Sequence, residues 1–242
     1  MISKVEGFIV SETPYGDSSK IIHVLTKEHG VIGIMAKGSK SLKSKNRATT
    51  LKFTYGIFNI YYKENKLSTL IDVEVIDELA NIKNDITLIS YLNYLTELTT
   101  QVAKQSIDED IYDIFINAVL LINKNLNPMV ITNIVEIKYL KYLGVFLNLD
   151  NCYKCGSNKD IVTISFNYGG LICKECYHDE EIVDLKMIKI LRNYLYIDLA
   201  KISKIDLDET IVKKINLFID LYYEQYTGLY LQSKKFLKTI ID

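Results

Sequence analysis

Tryptophan is absent from this sequence, proline occurs twice and histidine three times. The histidines are scattered and form no visible triad or metal set. No apolar run approaches the ~20 residues needed to cross a bilayer. Ala118 to Ile122 is among the longest, so no membrane span is expected. The opening MISKVEGFIVSE is interrupted by Lys4 and Glu6, and no apolar stretch follows that would make a secretory signal. A cytoplasmic protein is the expectation. Charge of one sign is not in excess either. Basic residues number 29, acidic residues 30, and the formal net charge is −1. Any surface for nucleic acid must therefore be local. Internal repeats and low-complexity linkers are missing. The lack of tryptophan beside abundant Lys, Asn, Ile and Tyr reads as A/T-rich codon usage, not as function.

What is present suffices for a core. Of 242 residues, 48% are hydrophobic and 24% charged, the balance of a globular chain. That length suits one compact body with a separable module. Residues 1–80 read as strands: Val5 to Val10, Ile21 to Leu25, Val31 to Ala36, Phe53 to Tyr62 and Leu67 to Ile76. Apolar and β-branched residues alternate along them, and turn residues such as Tyr15-Gly16-Asp17-Ser18 separate them. Short strands packed this densely predict a small antiparallel barrel, because closure removes exposed edges.

From residue 81 the apolar period becomes helical. Leu88, Leu92, Leu95 and Val102 share one helix face, and Ile111, Phe115, Ala118 and Ile122 another. Ser106 with Glu109 forms a capping-box pattern at the start of the second. Asn127-Pro128 predicts an N-cap followed by proline in the first turn, with Gly144 as the later stop. Leu185, Ile188, Leu191 and Leu195 predict another helix. Asp206 with Glu209 is a weaker cap pattern leading to Ile211, Ile215, Phe218 and Tyr222.

All four cysteines fall into two C-x2-C pairs, Cys152/Cys155 and Cys173/Cys176, separated by 17 residues. A pair on a tight turn grips one metal with two thiolates, and two pairs complete a tetrahedron. Gly156 follows the first pair, where positive φ is often wanted. Ile161 to Phe166 and the turn Asn167-Tyr168-Gly169-Gly170 lie between the pairs, which is the content of a zinc ribbon. One structural Zn2+ per chain is predicted, at a module of about 150–178. Three chemical motifs are only approximated. His178-Asp179-Glu180 follows the cysteines instead of preceding them, so it is not the deaminase signature. Tyr177 separates Cys176 from His178, which spoils a haem-attachment motif. Gly33 and Gly38 have P-loop separation, but Ser39-Lys40 reverses the required order. No catalytic residue is assigned.

Between Val31 and Lys63 there is no acidic residue, while Lys37, Lys40, Lys43, Lys45, Arg47 and Lys52 are all there, interleaved with Gly38, Ser39, Ser41 and Ser44. This reads as a mobile basic loop between the third and fourth strands. Each cation can displace a counterion condensed on a phosphate backbone, so the six are the candidate DNA-binding residues. A solvated loop that only confers solubility is the competing reading. Tyr55, Phe58, Tyr61 and Tyr62 offer aromatic faces, most of them expected in the barrel wall, and His23 is expected to be structural.

In that order the parts resemble the RecO family of bacterial recombination mediators. The resemblance rests on VEGFIVSE at 5–12 with Pro14 to Ser18, on Thr26-Lys27-Glu28-His29-Gly30, on the Ala36-Lys37-Gly38 turn, and on the placing of the cysteine pairs. It continues through Gly228 to Leu237, which looks like the family's C-terminal K-S-x-x-F-L region with Gln232 in place of the lysine. Leu51-Lys52-Phe53 departs from the common L-x-P-F pattern. The resemblance implies an α+β chain: a five-stranded OB-fold DNA-binding domain at 1–80 and a helical domain at 81–242 carrying the zinc ribbon. It implies a non-enzymatic DNA repair and recombination mediator of the RecF pathway, cytoplasmic and nucleoid-associated. Such a protein binds single- and double-stranded DNA, anneals complementary strands, and with RecR helps load recombinase onto strands coated by single-strand-binding protein. Some members also bind that protein's acidic tail. Two rival readings remain at this point: a zinc-ribbon and OB-type RNA-binding or transcription accessory protein, and a zinc-dependent hydrolase or deaminase.

Overall fold

In a computed structural model of the chain, residues 1–106 and 108–241 are described. Packing divides the chain into two compact units, Met1–Ile116 with Ser233–Asp242, and Asn117–Gln232.

The first unit is built on five strands: β1 (Ile2–Tyr15), β2 (Ser19–Thr26), β3 (Gly30–Ala36), β4 (Tyr55–Tyr61) and β5 (Ser68–Asp77). They close as β1-β2-β3-β5-β4, with β4 returning to β1. Every pairing is antiparallel except β3 with β5, where Ile34 faces Ser68 and Met35 faces Thr69. This is the OB-type closure, and the expected barrel is observed. Its interior is Val5, Ile9, Ile22, Val24, Ile34, Phe58, Ile60 and Leu70. On β5 the buried face is Ser68 and Leu70, not the alternating Leu67, Thr69, Ile71 and Val73 that the sequence offers, and of those four only Val73 packs against the core. A bulge between Ile9 and Ser11 interrupts the β1–β2 register, and Phe8, Ile9 and Val10 are buried consecutively. Phe8 meets Phe115 edge-on, with ring centroids 4.9 Å apart. Gly7 and Gly56 face each other across β1 and β4. A Cβ on Gly7 would lie 2.4 Å from Val24 Cγ1, and one on Gly56 2.5 Å from the Glu74 carbonyl oxygen, so the strands approach as closely as only glycine allows.

β4 starts later than the aromatic run predicts. Phe53 sits at φ 69°, where a strand cannot begin, and its N–H donates to the Ile9 carbonyl at 2.9 Å. Around the barrel are α1 (Asn46–Thr49), α2 (Ala80–Lys83), α3 (Ile86–Gln105) and α8 (Gln232–Ile241). Asp85 caps α3, its carboxylate accepting the N–H groups of Thr87 and Leu88. α4 (Glu109–Asn123) is not opened by Ser106. That residue ends α3 instead, its N–H donating to the Val102 carbonyl. Asp108 takes the start of α4, accepting from the Asp110 N–H at 2.9 Å. A carboxylate there also gains from the positive end of the helix.

In the second unit α5 (Pro128–Tyr139) is capped as expected by Asn127, which accepts from Met129 and Val130. A 3-10 turn, Leu140–Leu143, follows and ends on Gly144 at φ 70°. Three short strands come next: β6 (Asn148–Cys152), β7 (Ile161–Ser165) and β8 (Gly170–Cys173), in the order β6-β8-β7. α6 (Leu185–Tyr196) is capped by Asp184 and α7 (Glu209–Tyr226) by Asp208. Asp206, the sequence candidate for the second cap, lies 3.9 Å from the Lys204 ammonium instead. No helix among the described residues is long and apolar enough to cross a membrane.

Candidate metal centre and basic surface

The cysteine pairs are built by two turns at the ends of β6 and β8. The Gly156 N–H donates to the Cys152 carbonyl at 2.8 Å, closing the first turn, and Gly156 takes φ 75°, as expected of that position. The Cys176 N–H closes the second on the Cys173 carbonyl at 3.1 Å. Cys152 leaves the parallel strand opposite Leu171, and β8 delivers Cys173 two residues on. The four Sγ atoms consequently lie within 4.8 Å of one another, and Cys155 and Cys173 are 3.6 Å apart. Four thiolates on one tetrahedral zinc would stand about 3.8 Å apart, so the cage has the right size.

Its electrostatics suit a bound cation. Burial by itself would raise the Cys152 thiol, but the backbone N–H groups of Cys173, Cys155 and Lys154 bring it down to about 6. The hydrogen bond with Cys155, together with burial and the other thiols, pushes Cys176 up to about 12. Sulfurs this close cannot all ionise unless a positive charge joins them. With a metal bound, all four positions of a tetrahedron are protein ligands, and no site remains for substrate.

Sequence reasoning missed what surrounds the cage. Lys154 donates to the Cys176 carbonyl at 3.1 Å and to Glu180 at 3.2 Å, tying one knuckle to the other. Glu180 also accepts from the His178 N–H, which with Lys154 holds its carboxyl down at about 2. Three tyrosines of α7 hold the unit together. Tyr222 donates to the Phe146 carbonyl at 2.8 Å, Tyr223 to the Glu136 carbonyl at 2.7 Å, and Tyr226 to the Phe166 carbonyl at 3.1 Å. Their acceptors are backbone carbonyls 60 to 87 residues away, a pairing no local pattern signals.

On the first unit, Lys37, Lys40, Lys43, Lys45 and Arg47 are all exposed. The segment is not the free loop that its composition suggests. The Lys40 N–H donates to the Ser18 carbonyl at 2.8 Å, the Gly38 N–H to Ser19 Oγ at 3.1 Å, and buried Ser39 donates its hydroxyl to the Ala36 carbonyl. Ser44 and Arg47 continue the turns into α1. The backbone is thus tied to the barrel while the cations face solvent. Lys52 stands apart. It is half-buried, donates to Asn93 Oδ1 at 2.7 Å and lies 4.6 Å above the Phe53 ring, and burial pulls its pKa down. Of the four candidate stacking residues, Tyr55 and Phe58 are buried, and Tyr62 is stacked on His29 at 4.7 Å. Tyr61 is half-exposed. His23 shares a hydrogen bond with Ser11 within the barrel wall, consistent with a structural role.

Residues 1–79 match the family Recombination protein O N terminal, and residues 83–235 match Recombination protein O C terminal. The chain belongs to the RecO family. The DNA repair protein RecO of Bacillus subtilis strain 168 is 33% identical over 241 residues, spanning 98% of this chain and 94% of its own. Proteins of that name from Listeria monocytogenes serotype 4b and Halalkalibacterium halodurans are 32% identical over the same coverage. The C-terminal region that carries part of the RecO resemblance now has a structural account. Ser233 donates both its N–H and its hydroxyl to the Glu97 carboxylate, and Leu237 is buried, which fastens α8 to α3. Lys234 lies 4.5 Å above the Tyr94 ring.

Proposed function

We propose that this RecO protein is a non-catalytic DNA repair mediator whose barrel, residues 1–80, binds single- and double-stranded DNA, and whose helical part, 81–242, supplies partner surfaces. The observation that carries the reading is the exposed row Lys37, Lys40, Lys43, Lys45 and Arg47, set on a pinned backbone in a stretch without a single carboxylate. Fixed cations displace phosphate counterions at lower entropic cost than a free loop would. Neutralising two strands at once lowers their mutual repulsion, which favours annealing. In that scheme RecR and the recombinase-loading step act on the same annealed or coated strands, and the acidic tail of single-strand-binding protein is a further ligand. Cys152, Cys155, Cys173 and Cys176 hold one structural zinc, which keeps the ribbon folded. A cytoplasmic, nucleoid-associated setting follows from that role.

The test is a titration of single- and double-stranded DNA at three salt concentrations, on the parent protein and on the variant K40A/K43A/K45A/R47A. For every phosphate that the variant no longer neutralises, the log–log salt slope should flatten by about 0.9 on duplex and about 0.7 on single strands. Affinity should fall alike for all sequences, since cations that meet only phosphates carry no base information. Equal slopes for both proteins would reduce the segment to a solubilising loop.

A further inference from the structure

Beside the cysteine cage, within the second unit, lies an open groove of about 1080 Å3. One wall is α7, the other the segment 178–184 that leaves the second knuckle. Lys214, Leu217, Phe218, Leu221 and Gln225 line the first wall at helical spacing, a stripe about 16 Å long at 1.5 Å per residue. Leu217 and Leu221 are 59% and 49% exposed, and Ile182 on the opposite wall is 68% exposed. The floor is Phe166, whose ring meets Phe218 edge-on at 5.8 Å. Apolar side chains so placed lower the free energy only when something covers them.

The rim decides what. Five carboxylates line the groove, Asp179, Glu180, Glu181, Asp184 and Glu224, against the ammonium groups of Lys154 and Lys214. Lys154 is engaged with Glu180, and Asp184 caps α6. Asp179, Glu181 and Glu224 remain on the exposed rim with Lys214 as the cation among them. This surface repels phosphates and acidic peptides, so it suits neither DNA nor an acidic tail.

We propose that the groove receives a basic amphipathic helix of about three turns from a partner protein, its apolar face on Leu217, Leu221 and Ile182 and its Lys or Arg side chains against Asp179, Glu181 and Glu224. The length agrees, since three helical turns span about 16 Å, as the α7 stripe does. Helix-in-groove recognition by spaced apolar anchors is a common mode, with charge at the edges setting partner choice and orientation.

The probe is a labelled 14-residue helical peptide with leucines spaced to match the α7 stripe and lysines elsewhere, beside a counterpart with glutamates for the lysines. Binding is read by fluorescence anisotropy on the full metal-bound chain. The lysine peptide should bind and the glutamate peptide should not. L217S/L221S should weaken the lysine peptide at least tenfold. D179K/E181K, confined to exposed positions, should do the same and should gain binding of the glutamate peptide. Both variants should keep their metal content and DNA affinity. The proposal is overturned if the lysine peptide fails to bind, if it binds parent and variants equally, or if the glutamate peptide binds the parent protein better. It is also overturned if the parent chain self-associates and L217S/L221S abolishes that, which would make the groove an interface between copies.

Discussion

Two glycines show how differently the same residue is used. Gly144 and Gly169 both take positive φ, 70° and 60°. A Cβ on Gly144 would meet nothing within 4 Å, whereas one on Gly169 would lie 2.4 Å from the Tyr222 hydroxyl and 2.7 Å from the Phe146 carbonyl oxygen. Those two atoms are hydrogen-bonded to each other. Gly144→Ala should therefore cost only the left-handed backbone penalty, about 1 kcal/mol. Gly169→Ala should cost that plus a displaced, partly buried hydrogen bond, about 2–3 kcal/mol in all. Urea unfolding of the two variants checks the order. Equal losses would mean that the turn and α7 do not stay together in solution.

At the scale of elements, α7 carries two tyrosines whose hydroxyls are held above their ordinary pKa, as are Tyr55 and Tyr112 of the first unit. Burial, and then the neighbouring Tyr226, push the Tyr222 hydroxyl up to about 12, and burial raises Tyr223 well above its ordinary value too. Tyr194 of α6 is raised by burial as well. A folded pKa above the unfolded value of about 10 means that the native state holds its proton longer than the unfolded one. The stabilisation is complete below pH 10 and is lost as pH rises towards 12 and beyond. The urea midpoint should thus be flat from pH 8 to 9.5 and fall steeply between pH 10 and 12. Tyr222→Phe should cost about 1 kcal/mol at pH 8 by removing the hydrogen bond to Phe146, yet make the alkaline fall shallower. A fall of unchanged steepness would show that Tyr222 is not among the groups responsible.

For the molecule as a whole, the cysteine cage and the barrel belong to different packing units, and the four clustered thiols lie in the second. Binding free energy at a four-thiolate site is also folding free energy for the elements that carry the thiolates. Chelation, or Cys173→Ser, should abolish amide protection in β6, β7 and β8. Protection in β1 to β5 should persist, because the barrel is closed by its own ladders and core. Hydrogen exchange read segment by segment distinguishes this from a uniform loss, which would show the two units to be one cooperative block. Metal analysis of the untreated protein should give about one zinc per chain.

The barrel strands, the helix faces, the Asn127 cap, the Gly144 stop and the four-cysteine pattern were legible in sequence because each depends on neighbours a few residues apart. Alternation, helical period, turn chemistry and knuckle spacing are local physics. The same local reading misplaced the starts of two helices, where Asp108 and Asp208 stood close to the candidates Ser106 and Asp206. It also began β4 too early, because Phe53 takes positive φ while bonding to Ile9 of the neighbouring strand β1, and the regular ladder starts only at Tyr55. Composition could count six cations but not separate Lys52, which donates to Asn93 on α3, from the five that face solvent. The tyrosine hydroxyls of α7, the anchoring of Ser233 on Glu97 and the acidic groove beside the cage were decided by tertiary structure alone. Each joins residues far apart in the chain, and only folding brings their charges and carbonyls within reach.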